Sequence, residues 1–279
     1  METDQHLTLR NSYWDCEQKT LTQEITTYVV LERETVFAVD LTGPTLILPV
    51  GAIVRGDEFV IYRFDCDCKL VFYREYFSLG QFVSTYTDDY PHYKFDKKCD
   101  KERAIQVANQ LNFAIGLLSI DVKAAVKMFV NEFNERGVLR TAINPTTYPP
   151  QQPYPQSNFT GHHQIKRYLL NSIATAGETN QHVETKFNFW DCKKRVLSIQ
   201  RTWTATLTAP RAVSNNSPQG YIILNAGTTY QRDDLIIIKF DCNYKIVYYR
   251  AYYENNQYQS TYPVLVAPVC TVNCEYRCD

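Results

Sequence analysis

The chain has 279 residues, enough for two domains of ordinary size that each bury a core. Its formal net charge is −1 with both signs interspersed, which gives no electrostatic case for nucleic acid or an anionic membrane as a partner. No apolar run approaches the roughly 18 residues that a membrane-spanning helix requires, and no signal peptide opens the sequence.

The first segment of the chain recurs near its end. The stretch FDCDCKLVFYREYFSLGQFVSTY at 64–86 aligns with FDCNYKIVYYRAYYENNQYQSTY at 240–262, and the same offset of 176 residues carries Trp14 onto Trp190. Without a gap, 23 of the 73 positions from Trp14 to Tyr86 are identical. Self-similarity at a long, fixed period indicates a duplicated structural unit. The sequence therefore predicts two copies of one β-sheet.

The two copies differ in what precedes them. Residues 99–177 have no counterpart before Met1, so the predicted order is sheet, helical segment, sheet. The missing helical half suggests residues upstream of Met1 that were lost or processed off, and a signal peptide could have gone with them.

The segment that follows the first sheet has helical patterning. Residues 100–118 place apolar side chains at helical spacing, and Ser119 or Asp121 can cap a second helix, VKAAVKMFVNEFNE, which Gly137 is expected to close. VLRTAIN then reads as a short strand. Residues 145–157 hold five prolines and are not expected to form regular structure. GHHQIKRYLLNSIATAG is the third predicted helix.

After Gly177 the pattern changes to strands. Two hairpins are predicted, with turns at Asp191-Cys192 and at Asp241-Cys242. A helix pair, a short strand, a third helix and a long meander make an α+β layout, in which helices pack on one face of a curved antiparallel sheet.

Several of these stretches resemble the nuclear-transport-factor-2-like superfamily, which includes the SnoaL-like cyclases and ketosteroid isomerases. KIVYYRAYYE (245–254) and KLVFYREYFS (69–78) are similar to the last-strand signature of that superfamily, NFTGHHQIKRYL (158–169) to its turn into the third helix, and SIDVKAAVKMFVNEF (119–133) to its second helix. The resemblance implies a cone-shaped domain in which three helices cover a curved sheet.

On this basis the chain divides into three parts. Residues 1–95 are the sheet half of a first domain of this kind, residues 99–262 are a complete second domain, and residues 263–279 are a Cys-rich tail.

The cysteines suggest covalent links between turns. The first and third turns of a meander lie at the same end of the sheet, so we predict the disulfides Cys16–Cys66 and Cys192–Cys242, and Cys68 has Cys99 as a candidate partner. The tail adds a further three, and their spacing lacks the usual ligand pattern of a zinc site: Cys270, Cys274 and Cys278. No metal site and no cofactor are predicted.

The expected setting is extracellular. Asn158 and Asn215 fit the N-glycosylation pattern, and together with the cysteines they favour an oxidising compartment. The alternative is a cytoplasmic protein with reduced, partly buried thiols.

The resemblance also implies where a site would lie. Enzymes of the superfamily work inside the cone, with an acid or histidine as general base and a tyrosine or acid opposite. The residues that would line such a pocket are His162, Tyr168, Trp203, Tyr249 and Tyr253. We assign no catalytic residue, because His162, His163 and His182 have ordinary structural interpretations and Asp191 sits in a turn.

Two functions are therefore carried forward. The first is a non-enzymatic, secreted binding or assembly protein, because the apolar face of the first sheet needs a cover: the helices of another chain, a cover shared by both sheets, or residues upstream. The second is a SnoaL-like cyclase, isomerase or carrier of a small apolar ligand. An acid deep in an apolar cone favours the second, and a cone filled by aromatic rings opposes it.

Overall fold

The computed structural model describes residues 3–40, 43–77, 100–140, 158–173, 177–214, 221–253 and 258–260. Within these ranges the chain forms two large sheets, two small hairpins and three α-helices. The α+β class predicted from the sequence is confirmed.

The first sheet is an antiparallel meander without helices. It contains β1 (Thr3–Asp15), β2 (Thr20–Val30), β5 (Ile53–Phe64) and β6 (Leu70–Phe77) in the order β1-β2-β5-β6. A separate hairpin of β3 (Thr35–Asp40) and β4 (Gly43–Leu48) is inserted between β2 and β5.

Helices α1 (Lys101–Leu117) and α2 (Val122–Asn131) begin where the sequence predicts them. Asp100 caps α1 by accepting the backbone N–H of Arg103, and Asp121 caps α2 by accepting that of Ala124. Each cap satisfies a backbone donor that has no partner within its helix.

The predicted end of the second helix is wrong. The helix stops at Asn131, and Phe133–Arg140 form strand β7. Gly137 lies within β7, where a Cβ would come within 2.5 Å of the carbonyl oxygen of Ile246. The glycine is therefore required by the close approach of a neighbouring strand and not by a helix end.

The remaining elements complete the second sheet. In chain order they are β8 (Asn158–Thr160), α3 (Gly161–Tyr168), a π-helical turn (Leu169–Ile173), β9 (Glu178–Asp191), β10 (Val196–Leu207), the hairpin β11 (Arg211–Ser214) and β12 (Tyr221–Leu224), β13 (Thr229–Phe240) and β14 (Ile246–Tyr253). The sheet has the order β8-β7-β14-β13-β10-β9 and is mixed, because β14 runs parallel to β7.

The meander of the second sheet reproduces that of the first. Strands β2, β5 and β6 begin at Thr20, Ile53 and Leu70, and adding 176 to these numbers gives the first residues of β10, β13 and β14. The strand order is also the same.

The three helices cover one face of the second sheet. Alternate residues of β10 and β13, including Leu197, Ile199, Ile236 and Ile238, pack against them in the main core. The apolar stripe of α1 reaches the same core through Leu111.

The opposite face of the second sheet packs on the first sheet. This interface has its own apolar cluster of Tyr13, Phe59, Ile61, Tyr76, Phe189, Val196, Leu235, Ile237 and Tyr252. Each sheet therefore covers the other, so the apolar face of the first sheet is buried within the chain.

The polar contacts across this interface are reciprocal. The backbone N–H of Trp14 donates to Asp191 (3.1 Å), and that of Trp190 donates to Asp15 (2.8 Å). Because these residues exchange under the offset of 176, the two sheets are related by an approximate two-fold axis, as in a symmetric dimer interface.

Candidate functional site

The space between the helices and the second sheet is filled by aromatic rings. Tyr249 of β14 lies 5.8 Å from Phe129 and 6.1 Å from Phe133, centroid to centroid, and those two phenylalanines stack at 5.6 Å. Trp190 and Phe240 lie 6.1 Å apart nearer the hairpin turns. All five side chains are buried, so this part of the cone is a packed core.

A buried ionic network adjoins these rings. Asp234 of β13 accepts a hydrogen bond from Arg201 of β10 (3.3 Å) on one carboxylate oxygen and from Arg232 (3.0 Å) on the other. The guanidinium of Arg232 also lies 4.7 Å from the ring centroid of Trp203, a cation–π geometry. Two guanidinium groups therefore hold the one acidic side chain of this network.

Arg201 connects the network to helix α1. It donates to the side-chain oxygen of Asn112 (3.0 Å), while the Asn112 amide donates to Thr185 of β9 (3.0 Å). The Nε of Arg201 and the Nε1 of Trp203 are buried donors without a hydrogen-bond partner. Burial raises the pKa of Tyr249, whose hydroxyl accepts from Arg201 at 3.4 Å, so this tyrosine stays protonated.

A second polar cluster lies beside the β11 hairpin. Glu178 accepts from the hydroxyl of Tyr230 (2.6 Å) and pairs with Arg211 (2.8 Å). Burial acts to raise the pKa of Glu178, but Arg232, Tyr230 and Arg211 together lower it below its ordinary value. Glu178 is therefore a stable carboxylate.

An open groove separates α1 from β9, the edge strand of the second sheet. Its volume is about 560 Å³, and its lining combines apolar and uncharged polar side chains with one histidine and one glutamate: Asn109, Asn112, Phe113, Gly116, Leu117, Ile120, His182, Val183, Glu184 and Thr185. Phe113 is 61% exposed and Ile120 is 80% exposed. Asn112 is shared by the groove and the buried network.

The residues predicted to line a pocket do not form one site. Trp203 and Tyr249 both border the buried network, as described above. His162 instead makes a 2.9 Å hydrogen bond with the carbonyl oxygen of Phe133, and Tyr168 stacks on Phe159 at 4.3 Å. The backbone of Tyr253 belongs to β14, and its side chain lies outside the described residues.

The other histidine candidates lie at the surface, and the aspartate candidates lie at hairpin turns. His163 is exposed on the first turn of α3, and His182 lines the groove. Asp191 accepts the backbone N–H of Lys194 (2.9 Å) as well as that of Trp14. Asp241 closes the following turn in the same way.

Sequence reasoning missed Arg201, Asp234 and Asn112. A signal was present: Arg201 interrupts the alternating apolar positions Leu197, Ile199 and Trp203 of β10. A charged residue on the core-facing side of a strand needs a buried partner, and Asp234 supplies it.

The predicted disulfide pairing is wrong. Cys68 and Cys242 are free, exposed thiols, which removes the Cys68–Cys99 and Cys192–Cys242 pairs. Cys16, Cys66 and Cys192 each form a disulfide, but not with one another, because no two described cysteines lie at disulfide distance. The predicted Cys16–Cys66 pair is therefore not found. A shared end of the sheet therefore brings turns together without bringing their thiols together.

Several other predicted features lie outside the residues that the structure describes. Asn158 is half-buried in β8 and pairs with Arg140 of β7, whereas Asn215, the Pro-rich stretch 145–157 and the cysteines at 99, 270, 274 and 278 lie outside the described residues. Within the described ranges, no group of three or more metal-ligating side chains is found, and no helix is long and apolar enough to span a membrane.

Comparison with solved structures finds likenesses of fold. A SnoaL-like polyketide cyclase from Jannaschia sp. CCS1 is 8% identical and matches 57% of this chain and 91% of its own, with a TM-score of 0.38. An NTF2-like protein of unknown function from Exiguobacterium sp. 255-15 is 9% identical and matches 53% of this chain and 97% of its own, with a TM-score of 0.36. The epoxide hydrolase/cyclase-like enzyme SalBIII is 15% identical and matches 55% of this chain and 92% of its own, with a TM-score of 0.35.

The likeness covers about 55% of the chain and is one of fold alone. No protein-family model and no curated protein matches the sequence.

Proposed function

We propose that this chain is a non-enzymatic binding or assembly protein built on two copies of the same sheet. The observation that carries the proposal is the filled cone of the second unit, where Phe129, Phe133 and Tyr249 occupy the space between helices and sheet. An enzyme of this architecture needs room for a substrate there.

The chemistry of the interior supports the same conclusion. Both oxygens of Asp234 are engaged by arginines, and Glu178 is stabilised as a carboxylate by Arg211 and Tyr230. A general base needs a lone pair directed at its substrate and a pKa near the working pH. Neither acid meets that requirement, so binding at the surface is favoured over proton transfer in the interior.

A cyclase, isomerase or small-molecule carrier is the second candidate. The buried donors Arg201 Nε and Trp203 Nε1 favour it, because a ligand with an acceptor oxygen would satisfy them. That ligand would also replace some of the packed aromatic contacts.

The two candidates are separated by using Trp203 as a reporter. The double variant Trp14→Phe/Trp190→Phe leaves it as the sole tryptophan, and 8-anilinonaphthalene-1-sulfonate serves as an anionic, apolar probe. The titration is made in an Ile120→Asp background, because Val183 of the neighbouring groove pairs with Trp203 and a probe bound in that groove would also change the emission. The proposal expects no saturable change in Trp203 emission in this background and no small molecule in the native mass spectrum of protein from its source. A saturable change, or a co-purifying ligand, would establish the carrier or enzyme instead.

The extracellular setting is part of the proposal. The two N-glycosylation patterns and the cysteine content support it. The intact mass of the native protein, before and after reduction and deglycosylation, tests it: unchanged masses mean a cytoplasmic protein.

A further inference from the structure

We propose that the groove between α1 and β9 binds an extended peptide, which adds to the free edge of β9 as a further strand. This inference rests on the proposed function and names its site and the chemistry of its partner. It follows from three features of the groove: an open backbone edge, an exposed apolar wall and a short length.

The open edge is the central part of β9. His182, Val183, Glu184 and Thr185 pair on one side with residues 201–204 of β10, and no described strand pairs with their other side. Irregularities in the ladder bound this run at both ends. A regular strand exposes the N–H and C=O groups of alternate residues along its edge, and an extended peptide satisfies them by strand addition.

The wall opposite this edge is helical and apolar. Phe113 and Leu117 line the groove from α1, and Ile120 follows in the next turn. Phe113 and Ile120 are also two of the most exposed large apolar side chains among the described residues. Exposed apolar side chains that share a groove indicate a contact surface. At its far end the groove narrows, because a Cβ on Gly116 would lie 3.5 Å from the carbonyl oxygen of Gln181.

The length of the edge selects a short peptide over a second folded copy. Four strand residues span about 13 Å. A stable interface between folded proteins buries about 800 Å² on each partner, which is far more than one short strand and a neighbouring helix face offer. The helical wall further prevents a second sheet from approaching β9 side by side.

The charges of the groove define the peptide's chemistry. Glu184 forms an ion pair with Lys186 (2.7 Å), and the other polar groups of the lining are amides, one hydroxyl and His182. With no net charge to attract, the groove favours a peptide with apolar residues at alternate positions, directed at Phe113, Ile120 and Val183. Asn109, which is exposed, can hydrogen-bond its backbone.

The test uses the full chain and a phage-displayed library of random heptapeptides. We expect enrichment of sequences with apolar residues at alternate positions. Fluorescence polarisation of the most enriched peptide then measures its Kd, and Phe113→Asp and Ile120→Asp should each weaken binding about tenfold or more. The matched control is Ile223→Asp, because Ile223 is also exposed but lies on β12, away from the groove.

Backbone methylation distinguishes strand addition from side-chain binding alone. Methylating the alternate peptide amides that point toward β9 should abolish binding. Methylating the intervening amides, which point away from β9, should change binding little. The inference is wrong if no peptide is enriched, if both methylation series behave alike, or if the groove variants bind as the wild type does. Each of these outcomes leaves the Trp203 titration untouched, so the proposed function stands or fails separately.

A small molecule is the remaining occupant. If 8-anilinonaphthalene-1-sulfonate binds in a way that Ile120→Asp removes, and no peptide competes with it, the groove is a ligand site and the peptide inference is overturned.

Discussion

Arg250 and Asp57 form an ion pair of 2.6 Å across the interface of the two sheets, and both side chains are buried. Its counterpart under the offset of 176 is the pair of Arg74 and Asp233, at 2.7 Å. The interface thus holds the same ion pair twice, with the arginine contributed once by each sheet. A charge buried in this way depends on its ion-pair partner, because water does not solvate it in the interface.

Removing one member of the first pair should destabilise the whole chain. We expect Asp57→Asn and Arg250→Gln each to lower the free energy of unfolding by about 3–5 kcal/mol, since each leaves a buried group without its partner. The double variant should cost clearly less than the sum of the single variants, as measured by urea denaturation. Strict additivity would show that the two side chains are not coupled.

The exposed pair of Lys101 and Glu17 is the matched control. Its atoms are also close, at 2.5 Å, but Glu17 is exposed to solvent. Glu17→Gln should therefore change the free energy of unfolding by less than about 1 kcal/mol. A loss as large as that of Asp57→Asn would mean that burial is not the cause.

The stability of the chain should fall in alkali because of the interface tyrosines. Burial raises the pKa of Tyr248 to about 12, and it raises that of Tyr252 well above its ordinary value. A tyrosine whose pKa is higher in the folded state contributes stability that is complete below the unfolded pKa of about 10 and is lost as pH rises toward the folded pKa. Urea midpoints should therefore fall between about pH 10 and 12.

Tyr248→Phe isolates this effect. The variant should remove a slope of up to about 1.4 kcal/mol per pH unit from that window and leave the slope at neutral pH unchanged. The difference between the two proteins is the measured quantity, because other groups also titrate in alkali. An identical pH profile for both proteins would contradict the prediction.

Gly137 should tolerate no side chain. A Cβ there would approach the carbonyl oxygen of Ile246 to 2.5 Å and that of Asn134 to 3.0 Å, and both are backbone atoms that cannot move aside cheaply. We expect Gly137→Ala to lower the free energy of unfolding by about 1–3 kcal/mol or more. Gly56→Ala, where nothing lies within 4 Å of the added atom, should change it little in the same denaturation experiment.

The cap of α2 offers a further test of the local structure. Asp121→Ala removes the acceptor of the Ala124 N–H and should cost about 0.5–2 kcal/mol. Asp121→Asn should retain most of the stability, because asparagine caps a helix about as well. If thermal unfolding shows equal losses for both variants, the negative charge rather than the hydrogen bond is what matters.

Several features of the fold could be predicted from local patterns. The offset of 176 predicted that strands β2, β5 and β6 recur in the same order, and the capping residues and apolar spacing predicted α1 and the start of α2. Strand β14 directs Tyr249 to the core under the helices and Tyr252 to the first sheet, as the alternation of side chains along a strand requires. These features depend on residues close together in the chain, so the sequence determines them directly.

The candidate site depended on contacts between distant residues and was only partly predicted. Trp203 and Tyr249 were identified as interior residues, but the network that joins Arg201, Asp234 and Asn112 spans β10, β13 and α1. The groove was missed as well, because its two walls, Phe113 and Val183, are 70 positions apart.

By itself the sequence determined the recurrence of the strands, the starts of α1 and α2, and the α+β class. The repeat can be recognised directly in the sequence, and capping residues and apolar alternation act over a few neighbouring residues. Tertiary structure alone decided that the two sheets bury each other's faces, that Cys68 and Cys242 stay free, and that no other described strand pairs with the edge of β9 beside α1. Those outcomes depend on which surfaces meet, and that is set by the summed burial and charge pairing of side chains that lie far apart in the chain.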